Sequence, residues 1–309
     1  MATRNCGRRA RRTESGNLTA LTGKRSGSLR REGRYNPCMS KPTREDLEEL
    51  DRAGETLSKH VVQLFTSQEE LVLDRSEQKY GRFPLLPFGS AVLLRSGKNL
   101  FLCTAQHCID DLISSNETLF VESRTGGTIT VHAINGDWCR SGGEWDLAML
   151  LLTDEQSVWW DSVNFVNIGE TLSLESPSTL HILGYRAAER GTKVNKSTGV
   201  IERRPFFYTG TVIRSDAHFS WVQITHNNSR RGKQQIAVGD LRGVSGGAAF
   251  AFDKPSRRWF LAGIATDNFK KSHEIRVTNV GAVNRLAVLT AGGCKPVQPT
   301  LPSPMTERA

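Results

Sequence analysis

The chain has no apolar run approaching the roughly 18 to 20 residues that a bilayer-spanning helix needs. No membrane-spanning helix is therefore predicted. Its first residues also lack the apolar core of a secretory signal. There is no Cys-x-x-Cys pair among Cys6, Cys38, Cys103, Cys108, Cys139 and Cys294. Cys103 and Cys108 bracket His107 without a second Cys/His pair to complete a tetrahedral set, so neither a metal site nor a cofactor is expected. Without a secretory signal, the expectation is reduced thiols in a cytoplasmic setting. Basic charge is missing from most of the chain as well. The formal charge is +9, yet residues 1–38 hold ten Lys/Arg against Glu14 and Glu32, which leaves +1 for the rest of the chain. A folded nucleic-acid-binding surface shows clustered basic charge, so any nucleic-acid contact is confined to this arm.

What is present suits a globular protein: 309 residues, 38% hydrophobic and 24% charged. That is room for one β-rich domain of about 200 to 250 residues with appendages. Residues 1–38 read as a disordered basic arm; a transit-peptide reading is weaker, and Met39 offers a second start for translation. Residues 39–82 read as a helix and linker. Leu47, Leu50, Leu57, Val61 and Leu64 recur at helical spacing across residues 43–65, and Thr43 with Asp46 makes a variant capping box. The helix is expected to pack on the main domain or to restrict access to its cleft.

From residue 83 the texture changes to short apolar runs between turn signals. Residues 90–94 and 100–104 predict a hairpin across the turn 95–99. Further strands are expected at 118–122, 128–134, 147–152, 179–185, 207–214, 221–225, 247–252, 259–266 and 275–278. Many short strands predict an all-β barrel or sandwich. A helix is expected at 280–289, and a Pro-rich tail occupies 291–309.

Three segments carry reactive residues at strand ends. Leu102-Cys103-Thr104-Ala105-Gln106-His107-Cys108 ends an apolar run in a histidine, and Glu144-Trp145-Asp146-Leu147 puts an aspartate at the mouth of another. Gly243-Val244-Ser245-Gly246-Gly247 sets a serine in a glycine-rich turn before a third. A serine hydroxyl needs a neighbouring imidazole to take its proton, and that imidazole needs a carboxylate to hold its tautomer. His107, Asp146 and Ser245 supply these types. The backbone N–H groups of Gly243 and Ser245 could receive a tetrahedral oxyanion.

These motifs resemble the trypsin/chymotrypsin-like serine proteases. Thr-Ala-x-His-Cys stands here as Thr104-Ala105-Gln106-His107-Cys108, Gly-x-Ser-Gly-Gly as residues 243–247, and the aspartate motif as Asp146-Leu147-Ala148-Met149-Leu150. The order His, Asp, Ser also matches. The resemblance covers residues 83–290 and implies two six-stranded antiparallel β-barrels with the site between them. It further implies a polypeptide substrate, Gly239 near the base of the specificity pocket, and Thr266, Asp267 and Asn268 along the wall that binds substrate backbone. Val244 stands where trypsin-like zymogens carry an aspartate, and residues 88–92 contain no cysteine to pair with Cys108. Both departures fit the bacterial and viral branches of the family better than secreted digestive enzymes. Cys108 is accordingly expected to be a free buried thiol.

Two other classes compete. The serine turn also fits an α/β-hydrolase elbow, but only His273 follows it and the intervening sequence reads as strands. A protease-like domain that binds a partner without cutting it is the second. Specificity at the scissile residue and oligomeric state stay open.

Overall fold

Apolar runs that are buried on both faces build this chain. The computed structural model describes residues 44–67, 85–115, 117–125, 128–142, 144–169, 177–186, 205–231, 234–235, 241, 243–269 and 273–294. The chain divides into Met1–Lys41 and Pro42–Ala309. The first unit lies outside the described residues, as do Gly239 and the tail beyond residue 294.

The fold of the second unit is mainly β. Eight strands form the first sheet: β1 (Val61–Ser67), β2 (Leu85–Ser96), β3 (Asn99–Ala105), β4 (Leu119–Thr125), β5 (Thr128–Ala133), β6 (Cys139–Arg140), β7 (Leu147–Leu151) and β8 (Val166–Asn167). Their order is β5-β4-β1-β2-β3-β7-β6, with β8 added parallel to β2. The second sheet comprises β9 (Thr179–Gly184), β10 (Phe206–Ser215), β11 (Phe219–Arg231), β12 (Gln234–Gln235), β13 (Ala248–Asp253), β14 (Arg258–Phe269) and β15 (Glu274–Asn279). Its order β10-β9-β13-β14-β15-β11 is closed by pairing of β10 with β11, making a six-stranded barrel. Among the described residues the first sheet shows no such closing pair; its inner face packs around one apolar cluster.

Period-two alternation sorts the side chains into three layers. Ala91, Leu93, Leu102, Ala148 and Leu150 fill the inside of the first sheet. Leu180, Ile182, Val222, Ala249 and Ala251 fill the closed barrel. Their neighbours Val92, Leu94, Phe101, Met149, Ala248 and Phe250 point the other way, into a shared cluster that joins the two sheets. Strands buried on both faces lose the alternating signature in their composition, which is why residues 91–94 and 248–251 read as continuous apolar runs.

That same ambiguity explains the main correction. The first helix, α1, spans Arg44–Leu57 and not residues 43–65; a 3-10 turn Ser58–His60 follows, and Val61 opens β1. Val61 and Leu64 match helical spacing only because residues 61–66 are all buried, so any period fits them. β1 pairs with both β2 and β4, and the segment read as helix and linker therefore contributes a central strand. Ala53 and Leu57 join the inter-sheet cluster, and Arg257 lies 3.7 Å from Glu49. Arg257 belongs to the turn after β13, at the opposite end of that strand from Ser245.

Among the described residues the further helices are α2 (Gln106–Ser115), α3 (Asp154–Ser157) and α4 (Val280–Ala291). Ala282, Val283, Leu286, Ala287 and Thr290 form the buried stripe of α4, which packs against β7, β14 and β15. A disulfide joins Cys139 of β6 to Cys294, just past α4. This corrects the expectation of reduced thiols throughout and removes the support it lent to a cytoplasmic setting. Cys103 and Cys108 are free and buried, and burial pushes the Cys103 thiol well above its ordinary pKa. Among the described residues no helix is long and apolar enough to cross a membrane.

Candidate active site

Strand register makes His107 and Asp146 neighbours. β3 runs antiparallel to β7 with Ala105 opposite Leu147, so the residue that opens α2 meets the residue that precedes β7. The Gln106 N–H donates to the Asp146 carbonyl at 2.9 Å, extending the ladder by one rung. Asp146 adopts φ 52, an uncommon value for a residue with a side chain. Its carboxylate then turns back onto the start of α2, where the His107 N–H donates to Oδ1 at 3.1 Å. A carboxylate is favoured at a helix N-terminus by the exposed N–H groups there.

The same carboxylate holds the imidazole. Nδ1 of His107 lies 3.2 Å from Oδ1 and 3.1 Å from Oδ2 of Asp146. The His107 side chain is 44% exposed and that of Asp146 only 19%, so the ring has one face tied down and one open. The hydrogen bond to Asp146, then that to the Cys108 thiol, push the His107 pKa up to about 10 against the opposing effect of burial.

A residue that the sequence reading missed reaches Asp146 from the closed barrel. Arg276 Nη2 lies 3.4 Å from Asp146 Oδ2, and its Nε lies 3.5 Å from Thr266 Oγ1. Its guanidinium sits 5.0 Å from the centre of the Phe219 ring. On the same strand, Thr278 donates its hydroxyl to the Trp145 carbonyl at 2.7 Å, within the buried interior. The segment bearing Asp146 is thus fastened to the second sheet at two successive residues. Nothing local in the run Glu274-Ile275-Arg276-Val277 marks Arg276, because its partner lies 130 positions away.

Ser245 sits in a tight turn and is nearly buried, at 9% exposure. Gly243 and Gly246 adopt φ 88 and 85, where a side chain is strained. A Cβ on Gly246 would also collide with the Ser90 carbonyl and the Thr104 hydroxyl, so the turn lies directly against β2 and the end of β3. The Val244 N–H goes to the Leu241 carbonyl at 3.1 Å and the Gly246 N–H to the Ala265 carbonyl at 2.7 Å. Among the described residues the N–H groups of Gly243 and Ser245 have no acceptor, and no hydrogen bond joins the Ser245 hydroxyl to His107. Gly89 lies between the two halves: a Cβ there would sit 3.4 Å from the Cys108 sulfur and 3.7 Å from the Ser245 carbonyl.

Thr266, Asp267 and Asn268 lie on β14 past its last pairing with β13 at Ile264. Asp267 and Asn268 pair with Arg276 and Ile275 of β15. The Thr266 side chain is fully buried and turned to Thr278 and Arg276, so it offers backbone and not hydroxyl to the cleft. A cavity of about 270 Å³ behind α2, lined by Ile109, Leu112, Trp138 and Arg140 among others, includes none of His107, Asp146 and Ser245.

No protein-family model and no curated protein matches the chain. Among solved structures, a crystal structure of Deg5 aligns over 82% of this chain and 99% of its own, with 16% identity and a TM-score of 0.49.

Proposed function

We propose that the chain is a serine endopeptidase acting through His107, Asp146 and Ser245. The observation that carries this reading is the His107–Asp146 pair at 3.1 Å, set across Gly89 from a serine turn with two unbonded N–H groups. Ser245 Oγ attacks the scissile carbonyl carbon as Nε2 of His107 takes its proton. Asp146 holds the Nδ1–H and stabilises the imidazolium. The carbonyl oxygen, now an oxyanion, receives the N–H groups of Gly243 and Ser245. His107 then gives its proton to the leaving amine as the C–N bond breaks, and an acyl-serine remains. Water, deprotonated by the same imidazole, releases the acid and restores the serine.

Thr266, Asp267 and Asn268 on β14 keep their proposed place along the wall that binds substrate backbone, where an extended peptide would be held by main-chain hydrogen bonds. Gly239 keeps its proposed place near the base of the specificity pocket, outside the described residues. Labelling with a fluorophosphonate tests the reading: wild type should react at residue 245 and Ser245→Ala should not. A folded wild type that stays unlabelled at every pH from 6 to 10 overturns it.

A second reading is a peptide-binding domain that does not cut. It is favoured by the lack, among the described residues, of a hydrogen bond between the Ser245 hydroxyl and His107. Binding of unmodified peptide that emerges uncut after long incubation would establish it.

A further inference from the structure

Ser90 lies on β2 in the first sheet and is completely buried. All of its polar groups are committed. Its hydroxyl donates to the Gly243 carbonyl at 2.7 Å and accepts from the Tyr185 N–H at 2.8 Å. Its N–H donates to the Ser245 carbonyl at 3.0 Å, and its carbonyl accepts from the Thr104 hydroxyl at 2.7 Å. A hydroxyl has a single proton, and an N–H can only donate, so the bond from Tyr185 forces the proton of Ser90 toward Gly243.

The consequence falls on the turn. The Gly243 carbonyl and the Val244 N–H belong to one peptide, and Ser90 holds the first while the Leu241 carbonyl holds the second. The Ser245 carbonyl and the Gly246 N–H belong to another, held by Ser90 and by Ala265. With these two peptides fixed, the N–H groups of Gly243 and Ser245 are left as the turn's unbonded donors. Gly243 is the weak point, because a glycine can rotate its flanking peptides at little steric cost. Without the Ser90 hydroxyl, a buried carbonyl would lose its donor, a deficit that rotation toward the cleft relieves. A carbonyl in that place repels the oxyanion that the N–H groups should receive.

We infer that Ser90 is the positioning residue of the oxyanion hole: a side chain of the first sheet that keeps the carbonyl of the Gly243–Val244 peptide turned away from the site, so that the Gly243 and Ser245 N–H groups on either side of it meet the oxyanion unopposed. The inference rests on the endopeptidase reading above. Support comes from behind as well. The Tyr185 hydroxyl is bonded by Arg124 at 2.5 Å, and Arg124 by Glu122 at 2.6 Å, so the residue that orients Ser90 is itself anchored to the first sheet.

The test uses the full chain as wild type, Ser90→Ala, Ser90→Gly and Ser90→Thr, after wild type has been shown to be labelled by fluorophosphonate. An unlabelled wild type fails the endopeptidase reading and takes this inference with it; the variants address Ser90 alone. Ser90→Ala and Ser90→Gly both remove the hydroxyl and keep the backbone bonds, and kinetics are read on whichever melts in one cooperative transition. In that variant kcat should fall about 30- to 100-fold, somewhat less than for outright loss of a donor, with KM within about threefold. Affinity for a peptide boronate, which mimics the tetrahedral state, should fall by the same factor, while an uncleavable peptide binds unchanged. Ser90→Thr, which keeps the hydroxyl, should recover most of kcat. A folded variant with kcat within threefold of wild type overturns the inference. So does equal weakening of boronate and uncleavable peptide, which would mark Ser90 as merely structural.

Discussion

The two halves of the site are held in different ways. His107 and Asp146 belong to one sheet, on register-adjacent strands, and three hydrogen bonds besides the ladder bind the segment 106–107 to residue 146. The turn of Ser245 belongs to neither sheet alone: its carbonyls are held by Ser90 from the first and its Gly246 N–H by Ala265 from the second. The acid–base half is therefore set by one ladder and only braced from the second sheet by Arg276 and Thr278, whereas the nucleophile half is assembled by docking. Damage to the sheet interface should disable the serine before it disturbs the histidine.

The sharpest way to break this contrast is Gly246→Ala. The added methyl meets the Ser90 carbonyl and the Thr104 hydroxyl at a strained φ, so fluorophosphonate labelling should fall by at least ~10³-fold. An NMR titration of His107 should meanwhile keep its raised pKa. Loss of both together would show that the halves are one unit.

Removing the disulfide probes the docking itself. Cys294→Ser should cost about 3 to 5 kcal/mol in denaturant unfolding, since the bond closes a long loop. A single transition is expected; two separate transitions would mean that the sheets fold without one another.

Arg276→Met cuts the contact from the closed barrel to Asp146. A fall in kcat/KM of about tenfold is expected, from looser placement of the carboxylate. The His107 pKa should rise further, because a cation that competes for Asp146 has gone. An unchanged pKa would reduce Arg276 to a packing role.

The smallest effect is one of pH. The hydrogen bonds to Asp146 and Cys108 raise the His107 pKa from the ordinary 6.5 to about 10, so the neutral ring needed as base is expected to accumulate toward alkaline pH. The limb of kcat/KM that rises with pH should have its midpoint well above 6.5. Stability runs the other way: a raised pKa in the fold contributes fully below pH 6.5 and is lost as pH rises through about 10. The difference in melting temperature between wild type and His107→Ala should accordingly shrink across that window.

How much of this could be read from the chain depends on distance along it. His107, Asp146 and Ser245 each close or open an apolar run, so their strand-end placement is a local property and was legible. The all-β architecture was legible for the same reason, through strand after strand at short spacing. The limits of α1 were not, because residues 61–66 are buried on every side and show no single period. Ser90, Arg276 and the pairing of Cys139 with Cys294 were hidden for another reason. Each acts on a partner 130 to 155 positions away, and only the docking of the sheets reveals it.

The bond between Cys139 and Cys294 makes the intervening chain a covalent ring, and every strand of the closed barrel lies within it. A single nick anywhere in that ring changes the number of chain ends but releases no fragment. The severed pieces stay tethered until a reductant opens the link, so integrity measured by mass under oxidising conditions reports the ring and not the continuity of the backbone.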